Sequence, residues 1–259
     1  MRLVTWNVNS IRARLPRVGE LLEQHRPDVV CVQETKVAAD AFPHDALEGH
    51  GYRAVAASQG RWNGVALLVR RDAEVEEVVT SLPGAPDPAE ARWVEAVVDG
   101  VRIASVYVPN GRDREHPMFA VKLRFLEAMH DHLGGLLAAG PTVVAGDVNI
   151  APEDRDVWDV AQAGLTTHVT PEERERLSAL LELGLVDAYR AVEPEAAGFT
   201  WWDYRLRSFQ QGFGMRIDLV MVSRDLTVQA CEVDTSFRLA NAAGDKPSDH
   251  APVVVEFAL

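Results

Sequence analysis

The chain has 259 residues, 47% hydrophobic and 25% charged, a globular balance that excludes a disordered or fibrous protein. Two cysteines, Cys31 and Cys231, rule out a disulfide framework, and no apolar run nears the roughly 18–20 residues of a membrane helix. A net charge of −13 taken alone counts against a polyanionic partner, because phosphates are neutralised by Lys and Arg.

That charge is uneven. Met1–Lys36 carries six bases against four acids, whereas Asp72–Asp99 carries eight acids against one base, Arg92. Bound divalent cations would add positive charge, so composition leaves nucleic acid open as a partner. The residues from Met1 to Asn7 turn polar too soon for a secretory signal, and a soluble, cytoplasmic protein is expected.

In chain order, β-branched runs predict strands over Leu3–Trp6 and Val29–Gln33, with a helix over Leu15–Gln24 between them, bracketed by Pro16 and Pro27. Strands are expected over Val65–Arg70, Trp93–Val98 and Ile103–Val108, interrupted by the Pro/Gly loop Leu82–Ala91. Pro117–Leu133 sets Met118, Val121, Phe125, Met129 and Leu133 on one helical stripe. After a strand over Thr142–Ala145, Thr170-Pro171-Glu172-Glu173 reads as a capping box opening a helix through Leu183. Ile217–Val222 and Val253–Phe257 complete the strands. Each half begins with a short strand ending in Asn, at Asn7 and at Asn149, and later carries a hydrophobic strand. Two such αβ halves packed sheet on sheet predict one domain, 1–259, with strand ends meeting at a shared cleft.

Certain polar residues break this pattern. Asn7 and Asn9, Glu34, Tyr107 and Asn110, and Asp147 and Asn149 each close a hydrophobic strand. Asp218 interrupts another, and Asp249-His250 immediately precedes the last. Any one of these is ordinary turn chemistry, but strand ends on one side of a sandwich converge. Asn7, Glu34, Asp147, Asn149 and Asp249 together offer hard oxygen donors and no thiolate, which suits Mg²⁺ or Mn²⁺. His130 and His132 lie on different helix faces, and His44 and His50 lack Cys partners, so zinc is not expected.

These segments resemble the exodeoxyribonuclease III family, the apurinic/apyrimidinic endonucleases of the endonuclease/exonuclease/phosphatase superfamily. The resemblance rests on Trp6-Asn7-Val8-Asn9, Gln33-Glu34-Thr35-Lys36, Asn63-Gly64-Val65-Ala66, Tyr107-Val108-Pro109-Asn110-Gly111, Gly146-Asp147-Val148-Asn149, Arg216-Ile217-Asp218 and Ser248-Asp249-His250-Ala251-Pro252. It implies a four-layer αββα sandwich, two mixed β-sheets packed face to face with helices outside. It also implies a Mg²⁺-dependent phosphodiesterase cutting 5′ to abasic sites, with 3′→5′ exonuclease and 3′-phosphatase activity. By the same resemblance Glu34 is the principal metal ligand, with Asn7, Asp147, Asn149, Asp249 and His250 completing the metal set. Asp147 aligns or deprotonates the attacking water, and Asn149 holds Asp147. Tyr107 and Asn110 contact the scissile phosphate, and Asp218 orients His250, which binds a phosphate oxygen. Lys36, Arg207 and Arg216 are expected to bind DNA phosphates. The implied partner is double-stranded DNA with abasic sites or 3′ ends, bound by a monomer that is nucleoid-associated when on DNA.

Phe199, Trp201, Trp202, Tyr204, Phe209 and Phe213 crowd together with Arg205, Arg207 and Arg216. Some of these aromatics fit a core strand pair. Arg207–Gly214 also reads as a loop entering a DNA groove, its apolar side chains acting as wedges. The family resemblance places an abasic-sugar pocket at Trp201, Met215 and Ile217. Two other readings stay open: a phosphoesterase of phospholipid head groups or inositol phosphates, and an inactive DNA-binding module.

Overall fold

The computed structural model describes residues 1–163 and 167–258. The first half forms β1 (Arg2–Asn7), α1 (Leu15–His25), β2 (Val29–Gln33), α2 (His44–Gly49), β3 (Tyr52–Ala57) and β4 (Val65–Arg70). A central stretch supplies β5 (Val75–Val79), β6 (Trp93–Val98), β7 (Val101–Tyr107), α3 (Pro117–Ala139) and β8 (Thr142–Asp147). Then come α4 (Val160–Ala163), α5 (Pro171–Glu182), β9 (Leu185–Asp187), α6 (Ala188–Val192) and β10 (Trp201–Trp202). The chain finishes with α7 (Ser208–Gln211), β11 (Gly214–Met215), β12 (Asp218–Ser223), β13 (Thr227–Val233) and β14 (Val253–Ala258).

Among the described residues the strands make two six-stranded sheets, β13-β14-β1-β2-β4-β3 and β5-β6-β7-β8-β12-β9, plus the ribbon β10-β11. Each large sheet has one parallel pair at its centre, β1/β2 or β7/β8, and is otherwise antiparallel. The parallel pairs are joined by α1 and α3, which is why the halves look alike in sequence. Leu3, Cys31, Leu67, Val94, Ile103, Ala145, Val220 and Val255 fill the space between the sheets. Val18, Leu21 and Leu22 of α1 cover the outside of the first sheet. Phe125, Met129 and Leu133 of α3, with Leu177 and Leu180 of α5, cover the second. The four layers expected from the sequence are present.

The predicted elements hold with adjusted ends. The capping box forms, Thr170 Oγ1 accepting the Glu173 N–H while Glu173 accepts the Thr170 N–H. Helix α3 runs six residues beyond the expected Leu133 because Leu136 and Leu137 still pack against the sheet, offsetting about 1 kcal/mol for each of Gly134 and Gly135. Strands β3, β5, β9 and β13 have no counterpart among the expected strands; β5 and β13 are mostly exposed, and a register shift in each breaks its alternation. Gly146 is required where it stands: a Cβ there would lie 2.0 Å from the Val106 carbonyl oxygen. No other residue lets β7 and β8 deliver Tyr107 and Asp147 side by side, as their register does.

Candidate active site

The polar interruptions gather at one end of the sandwich. The forward ends of β1, β2, β7 and β8 lie there, beside the first residues of the antiparallel β12 and β14. A cavity of about 200 Å³ is lined by Glu34, Tyr107, Asn110, Asp147, Asn149, His168, Trp201, Ile217, Asp249 and His250. Ligand atoms of Glu34, Asp147 and His250 all lie within 4.8 Å of one another. The first sheet supplies Glu34 and His250, and the second supplies Asp147. Neither half is sufficient alone.

Local structure holds each group. Asp218 sits opposite Asp147 in the β8/β12 register, and its Oδ2 lies 2.8 Å from His250 Nδ1. His250 Nε2 is then left facing Asp147 Oδ2 at 3.8 Å. The Asn149 N–H donates to Asp147 Oδ1 at 3.0 Å, and its amide donates to the Val108 carbonyl at 2.9 Å. Asn110 Nδ2 donates to Asn149 Oδ1 at 3.1 Å. Glu34, Lys36, Asn9 and Asn149 all adopt left-handed φ (52°, 49°, 45° and 53°), so backbone strain is concentrated around the cavity.

The electrostatics follow from burial and charge. Burial pushes the Asp147 carboxyl up to about 7, with Asp218 and Glu34 adding and His250 opposing. Burial pushes His250 down, but the Asp218 carboxylate at its Nδ1, followed by Asp147 and Asp249, outweighs it and sets the imidazole at about 10. His250 is therefore a cation at neutral pH. Burial holds the Tyr107 phenol well above its ordinary value, helped by Glu34 and Asp147, so it stays a neutral donor. Burial drives His168 down to about 4, aided by the Lys122 ammonium, leaving a neutral imidazole.

Several expectations need correction. Asn7 does not turn an oxygen toward the cavity: its Nδ2 bridges Glu34 Oε1 (2.8 Å) and Asp147 Oδ2 (2.9 Å), while its Oδ1 accepts the Asn9 N–H. Arg216 is 1% exposed and enclosed by Asp156 (2.7 Å) and Asp187 (2.8 Å), so it is an internal ion pair out of reach of DNA. Lys36 is held by Glu34 (2.5 Å) and Asn9 (2.7 Å). Met215 pairs with Trp201 across the ribbon and packs in a small apolar cluster, whereas Trp201 and Ile217 do line the cavity. The aromatic segment divides likewise: Phe209 packs on Trp202 and Phe213 stacks on Trp158, leaving Leu206, 81% exposed, as the apolar tip beside the exposed Arg205 and Arg207.

Asp249 lines the cavity but turns one oxygen to Asn9 Nδ2 (3.0 Å) and the other to Trp201 Nε1 (3.3 Å). Asn149 spends its amide on Val108 and Asn110. The carboxylates whose oxygens converge with His250 on one point are Glu34 and Asp147. His168 was missed by sequence reasoning; its one signal was a position two residues ahead of the helix cap Thr170.

Comparison with known proteins agrees with this architecture. Residues 4–250 match the Endonuclease/Exonuclease/phosphatase family. The chain is 33% identical to "Exodeoxyribonuclease III" of Haemophilus influenzae over 99% of its length and 100% of that protein. Among solved structures, a 3′ phosphatase NExo from Neisseria, bound to product DNA hairpin, superposes with TM-score 0.95 at 38% identity, covering both chains fully. An AP endonuclease from Archaeoglobus fulgidus superposes with TM-score 0.93 at 32% identity, again over both whole chains.

Proposed function

Because the chain belongs to the Endonuclease/Exonuclease/phosphatase family, and within it to the exodeoxyribonuclease III branch, we propose that it is a divalent-cation-dependent DNA-repair phosphodiesterase. It cleaves 5′ to abasic sites and removes nucleotides or phosphate from 3′ ends, with residues 1–259 as one catalytic unit. The observation that carries this reading is the meeting of Glu34, Asp147 and the Asp218-paired His250 within one cavity.

The donor set fits a hard cation. Two carboxylates face each other in a buried place with no thiolate nearby, and burial already opposes the charge on Asp147. Glu34 and Asp147 would hold Mg²⁺ or Mn²⁺, which when bound supplies charge neutralisation and Lewis-acid polarisation of the phosphate. Burial raises the basicity of Asp147 above that of an exposed carboxylate, a bound cation would lower it again, and the side chain is placed to align the attacking water and take its proton. The N–H of Asn149 aims that carboxylate. His250 is already charged, so its Nε2–H donates to a phosphate oxygen and cannot serve as the base. Tyr107 and Asn110 add neutral donors to the same phosphate.

DNA would be held from two sides. Leu206, Arg205 and Arg207 project from the segment that follows Trp201. On the other side, a groove of about 380 Å³ that shares Tyr107 and Asn110 with the cavity carries the exposed Trp62 and Arg112. Both sides combine a cation with an apolar or aromatic surface, as backbone contact plus stacking requires.

Relative weight between the two activities favours the 3′ end, since the neighbour at 38% identity is a 3′ phosphatase and the AP endonuclease is at 32%. The test is an end-labelled duplex bearing one abasic analogue, and a second duplex ending in a 3′-phosphate, each incubated with Mg²⁺ or EDTA. Metal-dependent release of phosphate or a ladder means 3′-end processing, and one discrete cut means abasic incision. Intact DNA in both would refute the proposal.

A further inference from the structure

One buried charge in this fold has no part in the chemistry above. Lys122 of α3 is 0% exposed. Its ammonium donates to the Asn149 carbonyl at 2.7 Å, to Thr167 Oγ1 at 3.1 Å and to the Asn110 carbonyl at 3.4 Å, and it pairs with the equally buried Glu173. Glu173 in turn accepts the Thr167 hydroxyl (2.5 Å), the His168 N–H (3.0 Å), and the Thr170 N–H (3.0 Å) and hydroxyl (2.8 Å). One ion pair therefore gathers the strand ends after β7 and β8 and the turn before α5, three segments that all reach the cavity wall.

Stability alone does not account for it. A buried ion pair is often matched or bettered by apolar side chains of similar volume, which would hold α3 against α5 equally well. An apolar pair could not hold two main-chain carbonyls. Both carbonyls belong to asparagines whose carboxamides line the cavity, and one of them, Asn149, stays in a left-handed conformation that costs about 1 kcal/mol or more. We propose that Lys122, neutralised by Glu173, is a positioning residue: it fixes the backbone of Asn110 and Asn149 so that Asn149 aims Asp147 and Asn110 meets the phosphate. Misplacement by about 1 Å costs on the order of 10²-fold in rate.

The assignment rests on reading the cavity as a phosphodiesterase site, and the wild-type protein tests that reading separately. Wild type without Mg²⁺-dependent cleavage overturns the phosphodiesterase reading and this assignment with it. With wild type active, the informative protein is the double variant Lys122→Met/Glu173→Leu, which removes both charges and keeps the packing. It is expected to melt below wild type, because the Asn149 carbonyl and the His168 and Thr170 N–H groups lose their partners. In the folded protein, assayed well below that melt, kcat falls about 10- to 100-fold with KM changed by less than about twofold. A kcat within about twofold of wild type in the folded double variant overturns the assignment. Should that variant fail to fold, Lys122→Gln, uncharged and with one amide donor, is read by the same split. A lower kcat at constant KM supports positioning, and unchanged kcat overturns it.

Discussion

Replacing Asp218 by Asn tests the charge state on which the chemistry depends. His250 moves from 6.5 to about 10 in the folded protein, which favours its protonated form by about 5 kcal/mol. Asp218, 2.8 Å away, supplies the largest share, because its Coulomb attraction at an effective dielectric of 20 is roughly 6 kcal/mol. Asparagine keeps the shape and removes the charge, so burial then prevails and the imidazole is neutral at pH 7.5. Losing a charged donor to the phosphate is expected to lower kcat about 10²–10³-fold. Single-turnover cleavage of a labelled duplex measures that loss, and the NMR titration of the His250 ring measures its cause. The same shift has a stability consequence. A raised histidine stabilises the fold fully below pH 6.5 and ceases to do so as pH rises through about 10, so wild type should lose stability over that window and Asp218→Asn should not. A variant whose His250 still titrates near 10, or whose kcat stays within about threefold of wild type, would refute the reasoning.

Glu34→Ala is expected to lower metal-dependent turnover by at least about 10²-fold, and to weaken Mg²⁺ binding by calorimetry, with little change in melting temperature; near-normal turnover removes Glu34 from the cation site. Burial raises the Glu173 carboxyl, but the Lys122 ammonium and four hydrogen bonds outweigh it and hold it at about 2. Its stabilisation, at most about 3 kcal/mol, is therefore complete above pH 4.5 and lost as pH falls toward about 2. Urea unfolding at pH 6 and pH 3 should show a shallower pH dependence for Glu173→Gln, and parallel curves would contradict this. Arg207→Ala should weaken duplex binding and reduce the slope of log K against log salt by about 0.9, and an unchanged slope means that Arg207 touches no phosphate.

Where a side chain's role depends on strand position, the sequence already carried it. Glu34, Asp147, Asn149, Asp218 and His250 stood out because each interrupts or ends an apolar strand, and alternation along strands fixes where such interruptions point. Arg216 misled for the opposite reason. A basic residue in a motif looks the same whether it meets DNA or an internal carboxylate, and only Asp156 and Asp187, 60 and 29 residues away along the chain, decide it. Asn7 shows a finer limit, since its amide can present oxygen or nitrogen and the choice is made by the Asn9 N–H. Lys122 and Glu173 were invisible as a pair because their helices meet only once the second sheet is covered. Edge strands β5 and β13 could not be read because a register shift in each interrupts the alternation that a half-buried strand would show.

The boundary between the two sheets carries a mechanical consequence. It is apolar except near the cavity, where Gln33 Nε2 donates to Thr5 Oγ1 at 3.1 Å and to Ser105 Oγ across the gap at 3.0 Å. That crossing contact acts as a dowel beside the Asn7–Asp147 and Asp218–His250 contacts that also cross the seam, and the reacting groups sit on opposite planks. Warming that loosens the dowel would shear His250 and Glu34 away from Asp147 while every strand kept its own ladder. Turnover should therefore fade several degrees below the temperature at which the far-ultraviolet circular dichroism signal collapses.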